Sequence, residues 1–346
     1  MITINSKLSK LFIGKNIISR CLSGILTKEK LFVIVDKHLF PFIKPVKEFS
    51  TVIYCDYFSE DKKNVKSVLK MLSLLLKYNV KKNDYVVIIG GGALLDTAGF
   101  ASSIFKRGLQ VINIPTTFLS MIDSAIGGKN GINYNGIKNI IGTITQPKYV
   151  IIDLSFLGTE QVKQGLGELL KYAMIGDFKL YTFIYNNHHK IINCDMKIIE
   201  KLIYKCVKVK LSIVEKDPFD NSIRHILNFG HTIGHFIESI SGYSISHSDA
   251  VILGLEIEML CCNEQFGIVS QKFMSYFYNL LKAFSIERKK IPQFTKTQFK
   301  QIITLDKKAE SKNFITISCP VDFNRYELSL KIPFQKVYNV LKRYAR

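Results

Sequence analysis

Residues 84–100 read DYVVIIGGGALLDTAGF. Tyr85 to Ile89 are apolar or aromatic without alternation, the mark of a strand buried on both faces. Gly90, Gly91 and Gly92 follow, and then apolar residues at helical spacing. Glycines at a strand-to-helix junction let the backbone approach a ligand, and the helix start offers N–H groups to a phosphate. The spacing is GGG-x-x-x-D, ending at Asp96, so the G-x-G-x-x-G dinucleotide fingerprint is absent. On the glycines alone, a tight turn with nothing bound stands beside the phosphate reading.

The same texture extends outward. LFVIVD (31–36), STVIYCD (50–56) and LQVINIP (109–115) read as further strands, and 64–80 and 93–108 have helical spacing. Strand, helix, strand repetition predicts a parallel sheet with helices on both faces and ligands at the carboxyl ends of the strands. Asp36, closing LFVIVD, is placed to take ribose hydroxyls or to cap a turn. Beyond about residue 160 helical patterns dominate, at 160–176, 195–215, 223–240, 248–267 and 271–284. The expected architecture is a Rossmann-like α/β domain over 1–158 and a mostly α-helical domain over 159–346.

With 346 residues and 47% apolar composition, the chain can bury two cores. Its longest apolar stretches are too short to span a bilayer, and MITINSKLSKLFIGK lacks the layout of a signal peptide. A cytoplasmic protein with no membrane partner is expected. Seven cysteines include no C-x-x-C pair, which argues against a disulfide framework or a cysteine zinc site. The net charge of +20 raises nucleic acid as a partner, but the cations are mostly lysines spread over the whole chain. No reading motif accompanies them, so an anionic small molecule is preferred to nucleic acid.

Four segments carry candidate chemistry. PTTFLSMIDSAIGGKNGINYNGIKNIIG (115–142) has paired threonines, Asp123 and a Gly127–Gly128–Lys129 turn, which suit a held anion or form a surface loop. GLGELLKYAMI (165–175) sets Glu168 and Lys171 three apart on one helical face, an ion pair or a ligand with its neighbour. RHILNFGHTIGH (224–235), written as a helix, places Arg224, Asn228, His231 and His235 on one face amid apolar residues. Burying that face requires partners such as a metal or an anion. HSDAVILGLEIEML (247–260) opens a helix with His247. One carboxylate and two imidazoles fit a catalytic zinc with a position left for substrate, and imidazole favours zinc over magnesium.

GGGALLDTAGF, PTTFLSMIDSAIGGKNGIN, KNIIG, GLGELLKY, RHILNFGHTIGHFIE and HSDAV, in this order, resemble the 3-dehydroquinate synthase family over about residues 30 to 310. The resemblance implies a two-domain, commonly dimeric shikimate-pathway enzyme using NAD and a divalent metal, usually zinc, with cobalt as an alternative. Such an enzyme converts 3-deoxy-D-arabino-heptulosonate 7-phosphate to 3-dehydroquinate and phosphate. It implies metal ligands at Glu168, His231 and His247. It implies NAD contacts from Asp36, Glu60, Lys63, Gly92, Ala93, Leu94, Leu95, Asp96, Thr116, Thr117, Asp123, Lys129, Lys138, Phe156, Leu157, Gly158 and Thr159. Around substrate it implies Lys129, Asn139, Lys171, Lys210, Arg224, Asn228 and His235, the last as a proton relay. Arg107 corresponds to an arginine that reaches the neighbouring subunit's site, and Lys307 and Lys308 to further family lysines. The usual HGEAV is HSDAV here, GE-x-x-K is SE-x-x-K at Ser59, Glu60 and Lys63, and the loop from Thr159 to Glu168 is short. Another sugar phosphate cyclase and a metal-dependent polyol dehydrogenase are the alternative readings.

Overall fold

The computed structural model describes residues 1–25, 31–39, 50–55, 58–305 and 313–345. The chain divides into two compact units, Met1–Gln161 with Lys210–Pro218, and Val162–Val209 with Phe219–Arg346.

The first unit is built on a seven-stranded sheet. Its strands are β1 (Ile2–Asn5), β2 (Lys10–Gly14), β3 (Leu31–Asp36), β4 (Ser50–Cys55), β5 (Tyr85–Gly90), β6 (Gln110–Pro115) and β9 (Tyr149–Asp153). They lie in the order β1-β2-β9-β6-β5-β3-β4, parallel throughout except for the antiparallel β1–β2 pair. Every residue of β3 and of β5 is buried, as their unbroken apolar runs predict. Each buried valine or isoleucine of β5 contributes roughly 1.5–3 kcal/mol, an upper value because unfolded chains already bury part of that surface.

Strand order reverses between β3 and β5, since β4 lies on one side of β3 and β5 on the other. The carboxyl ends of those two strands carry Asp36 and Gly90, so the glycine turn and the acidic residue occupy the topological switch point. Helix Val65–Lys77 precedes β5, with Asn64 accepting the Ser67 N–H as its cap, and helix Gly92–Ile104 follows it.

The segment 115–142 is neither a plain loop nor a single strand. Thr117 caps a short helix, Phe118–Ile122, through a reciprocal box with Ser120, and β7 (Lys129–Tyr134) pairs with β8 (Ile137–Ile144) as an antiparallel hairpin.

The second unit is mostly helical. Helices Met196–Val214, His247–Phe266 and Gln271–Ala283 match the expected periodicity. Two expected helices are broken. Gly165 separates Thr159–Gln164 from Leu166–Ile175. A 3-10 turn, Ile223–Asn228, is separated from helix His231–Ile240 by Phe229 and by Gly230, whose φ of +81° turns the chain left-handed. The single-face arithmetic for Arg224 to His235 therefore does not hold, because a pattern of residue types cannot reveal a left-handed break. An antiparallel hairpin, β10 (Phe314–Asp322) with β11 (Arg325–Pro333), and helices Phe178–Asn186 and Phe334–Lys342 were not anticipated. Among the described residues no helix is long and apolar enough to cross a membrane.

Candidate active site

Glu168, His231 and His247, all in the second unit, present ligand atoms within 4.8 Å of one another. Three helix beginnings supply them. Glu168 stands in the first turn of Leu166–Ile175, while His231 and His247 open their own helices. Close backbone approach makes the convergence possible. A Cβ on Gly167 would sit 2.6 Å from the Ser248 carbonyl oxygen, and one on Gly254 only 1.9 Å from that of Gly230. Side chains at either position would hold the helices apart.

His231 Nε2 lies 2.8 Å, and His247 Nε2 3.5 Å, from Glu168 Oε1. The opposite ring nitrogens are engaged elsewhere. His231 Nδ1 faces the Phe229 carbonyl at 3.2 Å and His247 Nδ1 faces Glu238 Oε1 at 3.3 Å. Such outer contacts fix ring orientation and tautomer, the arrangement found around metal-binding imidazoles. Glu238 was missed in the sequence; its signal was its place two helical turns after His231. Burial pushes His231 down to about 4, against the pull of Glu168. Burial acts the same way on His247, but hydrogen bonds to Glu168 and Glu238 outweigh it and raise the ring to about 9. Burial would raise Glu168, yet the Lys171 ammonium and His231 hold its carboxyl well below the usual range. One buried carboxylate and two oriented imidazoles fit a borderline-soft divalent cation.

Lys171 pairs with the other oxygen of Glu168 and donates to the Leu227 carbonyl at 3.0 Å. Arg224 is 1% exposed at the start of the 3-10 turn, and Asn228 is half-buried at its end. His235 lies one turn after His231, ring centroids 5.7 Å apart. Those four candidates therefore share the second unit with the triad.

The first unit gathers the other set. Asp36 is buried, with Oδ2 accepting the Phe58 N–H at 3.0 Å. Its Oδ1 lies 3.1 Å from His38 Nδ1. Among the described residues neither that oxygen nor the buried Ser124 Oγ has a hydrogen-bond partner. A Cβ on Gly92 would come within 3.0 Å of that hydroxyl, so the glycine turn forms a cradle a side chain would fill. A buried carboxylate oxygen and a buried hydroxyl with hydrogen-bonding capacity to spare, near a helix start at the switch point, fit a dinucleotide's ribose and pyrophosphate. Asp96, one helical turn after Gly92, binds Lys63 Nζ at 2.5 Å; burial raises its carboxyl against the pull of that ammonium.

Asn133, a residue the sequence reading passed over, ties this region together. Its N–H donates to the Lys63 carbonyl, its amide nitrogen to Glu60 Oε1, and its Oδ1 accepts the Asn139 N–H. Asn139 adopts φ +53° within the hairpin that also carries Lys129 and Lys138. Lys210 clusters with the first unit and donates to the Asp123 carbonyl and, at 2.8 Å, to its Oδ1. Thr116 is buried and Thr117 serves as a helix cap. Ala93, Leu94 and Leu95 lie in the first turn behind the glycines, and Phe156, Leu157, Gly158 and Thr159 follow β9. Arg107 is exposed on a turn where it and Lys106 both have positive φ, 61° and 48°. Lys307 and Lys308 lie outside the described residues.

Known proteins align with this layout. The family model for 3-dehydroquinate synthase, N-terminal, matches residues 57–166, and that for its C-terminal part matches residues 165–309. The 3-dehydroquinate synthase of Sulfolobus acidocaldarius is 40% identical over 256 residues, 73% of this chain and 72% of that protein. That of Saccharolobus solfataricus is 45% identical over 209 residues, so the match spans only 59% of the relative's length. A 2-deoxy-scyllo-inosose synthase solved with carbaglucose-6-phosphate, NAD+ and Co2+ shares the fold, with a TM-score of 0.90 at 19% identity over 99% of this chain and 100% of that one. This chain belongs to the 3-dehydroquinate synthase family.

Proposed function

We propose that the protein converts 3-deoxy-D-arabino-heptulosonate 7-phosphate to 3-dehydroquinate and inorganic phosphate. The observation that carries this is the convergence of Glu168, His231 and His247, supported by the family membership. Glu168, His231 and His247 hold a divalent metal, zinc or cobalt, and the glycine turn with Asp36 holds NAD. When bound, NAD supplies a reversible hydride acceptor, and the metal supplies a Lewis acid for a substrate hydroxyl.

The chain's own residues do the rest. Glu238 and the Phe229 carbonyl keep each imidazole turned so that Nε2 faces the ligand position. Lys171, anchored by Glu168 and the Leu227 carbonyl, holds a fixed positive charge beside the metal position. Arg224 offers a planar donor fork for carboxylate or phosphate. Lys129, Asn139, Lys210 and Asn228 complete the contacts to a substrate that carries both anions. His235, next to His231, relays a proton, and the departing phosphate removes the adjacent C–H proton. On the NAD side Glu60, Lys63, Gly92, Ala93, Leu94, Leu95, Asp96, Thr116, Thr117, Asp123, Lys129, Lys138, Phe156, Leu157, Gly158 and Thr159 make the contacts.

The active form is a homodimer in which Arg107 reaches the partner's site. Two successive non-glycine residues in the left-handed region are strained, and such strain is retained where a side chain has to be presented. Mixing inactive Arg107→Ala and Lys171→Met subunits restores activity in this reading, because one site of the mixed dimer is then intact.

The test is phosphate release from the heptulosonate phosphate. Release with no net NADH, abolished by chelator and restored by Zn2+ or Co2+, is expected. Lasting NADH absorbance would assign the polyol dehydrogenase reading instead.

A further inference from the structure

We propose that Glu258 is a positioning residue that sets the metal ligand His231 from the neighbouring helix. The inference rests on the metal reading above. Helix His231–Ile240 begins at Gly230, which has no side chain to cap the first turn. Glu258, in helix His247–Phe266, fills that role from outside. Its Oε2 accepts the Gly230 N–H at 2.8 Å and its Oε1 accepts the Ile233 N–H at 3.1 Å. Both bonds are buried, and Glu258 itself is 1% exposed.

The pair of N–H groups brackets His231, one on the residue before it and one two residues after. A carboxylate spanning both therefore fixes the backbone from which the imidazole projects. Gly254 lies one turn before Glu258 on the same helix face and faces the Gly230 carbonyl, so the bare glycine permits the approach and the carboxylate locks it. The same helix opens with His247. One rigid element thus bears a proposed ligand at its first residue and holds the backbone of another with its twelfth. Any shift of this helix moves both imidazoles together relative to Glu168.

Glu258→Gln keeps the shape but can accept only one of the two bonds while its NH2 group faces the other donor. Co2+ affinity, followed by visible absorption and competition with a chelating dye, is expected to weaken roughly 10- to 100-fold, with an altered ligand-field band. Met259→Ala, which removes fully buried packing from the adjacent position, lowers Tm and leaves Co2+ affinity within about threefold of wild type. Wild-type affinity and spectrum in Glu258→Gln overturn the proposal, as does an equal loss of affinity in Met259→Ala. Amide hydrogen exchange on the wild type supplies a reading that needs no variant. The Gly230 and Ile233 amides are expected to stay protected in the metal-free protein, and fast exchange there overturns the clamp. A wild type that binds no Co2+ refutes the metal reading itself, whereas protected amides with unchanged affinity in Glu258→Gln refute only the positioning role.

Discussion

Gly254→Ala puts the helix geometry of the metal site to its hardest test. The added methyl would lie 1.9 Å from the Gly230 carbonyl oxygen and 3.0 Å from the Gly234 amide nitrogen. Both obstacles are backbone, so no rotamer change relieves them. Restoring the shortest tolerable carbon–oxygen contact requires the helices to part by at least about 1 Å. The Glu258 bonds to Gly230 and Ile233, now 2.8 and 3.1 Å, would then stretch beyond hydrogen-bonding range. Overpacking of this kind costs about 1–3 kcal/mol, and each buried donor left unsatisfied adds about 1–3 kcal/mol. Together these come to about 3–9 kcal/mol, a fall in Tm of at least roughly 6 °C for a domain of this size. The control is Gly24→Ala. That glycine is exposed in helix Ile18–Ile25 and no described residue comes within 4 Å of its added Cβ, so the change is expected to stabilise by about 0.4–1 kcal/mol. Thermal melts of both variants, with Co2+ titration of Gly254→Ala, decide the matter. If Gly254→Ala melts within 2 °C of wild type (roughly half a kcal/mol) and binds Co2+ normally, the close-approach argument is wrong.

Further consequences can be measured independently. Lys171→Met leaves Glu168 buried without its ammonium, so it should destabilise the metal-free protein by about 3–5 kcal/mol and the metal-loaded protein by clearly less; equal losses in denaturant melts would contradict the charge exchange. The proton that His247 holds up to about pH 9 stabilises the metal-free fold below the ring's unfolded value of about 6.5 and is lost as pH rises through about 9. A metal has to displace it, so affinity should climb about tenfold per pH unit between those limits and then level off, and calorimetry at pH 7 in buffers of different ionisation heat should show close to one proton released. Asp36→Asn removes the charge from the buried oxygen that lacks a hydrogen bond among the described residues; NADH fluorescence should report binding weaker by about 1–3 kcal/mol, with Co2+ affinity unchanged.

The fold was legible where one physical constraint acts alone. A strand buried on both faces has no reason to alternate, so LFVIVD and YVVIIG announced the sheet, and the glycines after Ile89 marked where it meets a helix. The long helices at Met196 and His247 were legible for the same reason, because periodicity over five turns leaves little ambiguity. The break at Gly230 was not, since a single left-handed residue leaves the apolar spacing on either side intact. The run after Lys138–Asn139 reads as strand-like and lies in β8, but its pairing with β7 and the β10–β11 hairpin were missed because these strands are half-exposed and carry polar residues that read as loop. At the site, the ligand types were visible but their supports were not. Glu238 and Glu258 act through contacts nine and twenty-five or more residues away in sequence, which spacing cannot encode.

The charges around the triad explain why a lysine is buried there at all. Glu168 and Glu238 bring two negative charges to the imidazoles, and Lys171 cancels one of them. The metal-free cluster therefore carries a deficit that the His247 proton fills. Replacing that proton by a divalent cation leaves the same cluster with one net positive charge. Without Lys171 the cluster would be neutral once loaded, adequate for gripping a metal and weaker for attracting an anion. The lysine thus weakens the hold on the cation and strengthens the field that the proposed doubly anionic substrate would feel. Its burial against Glu168, where rearrangement is blocked, keeps that field in place before the substrate arrives.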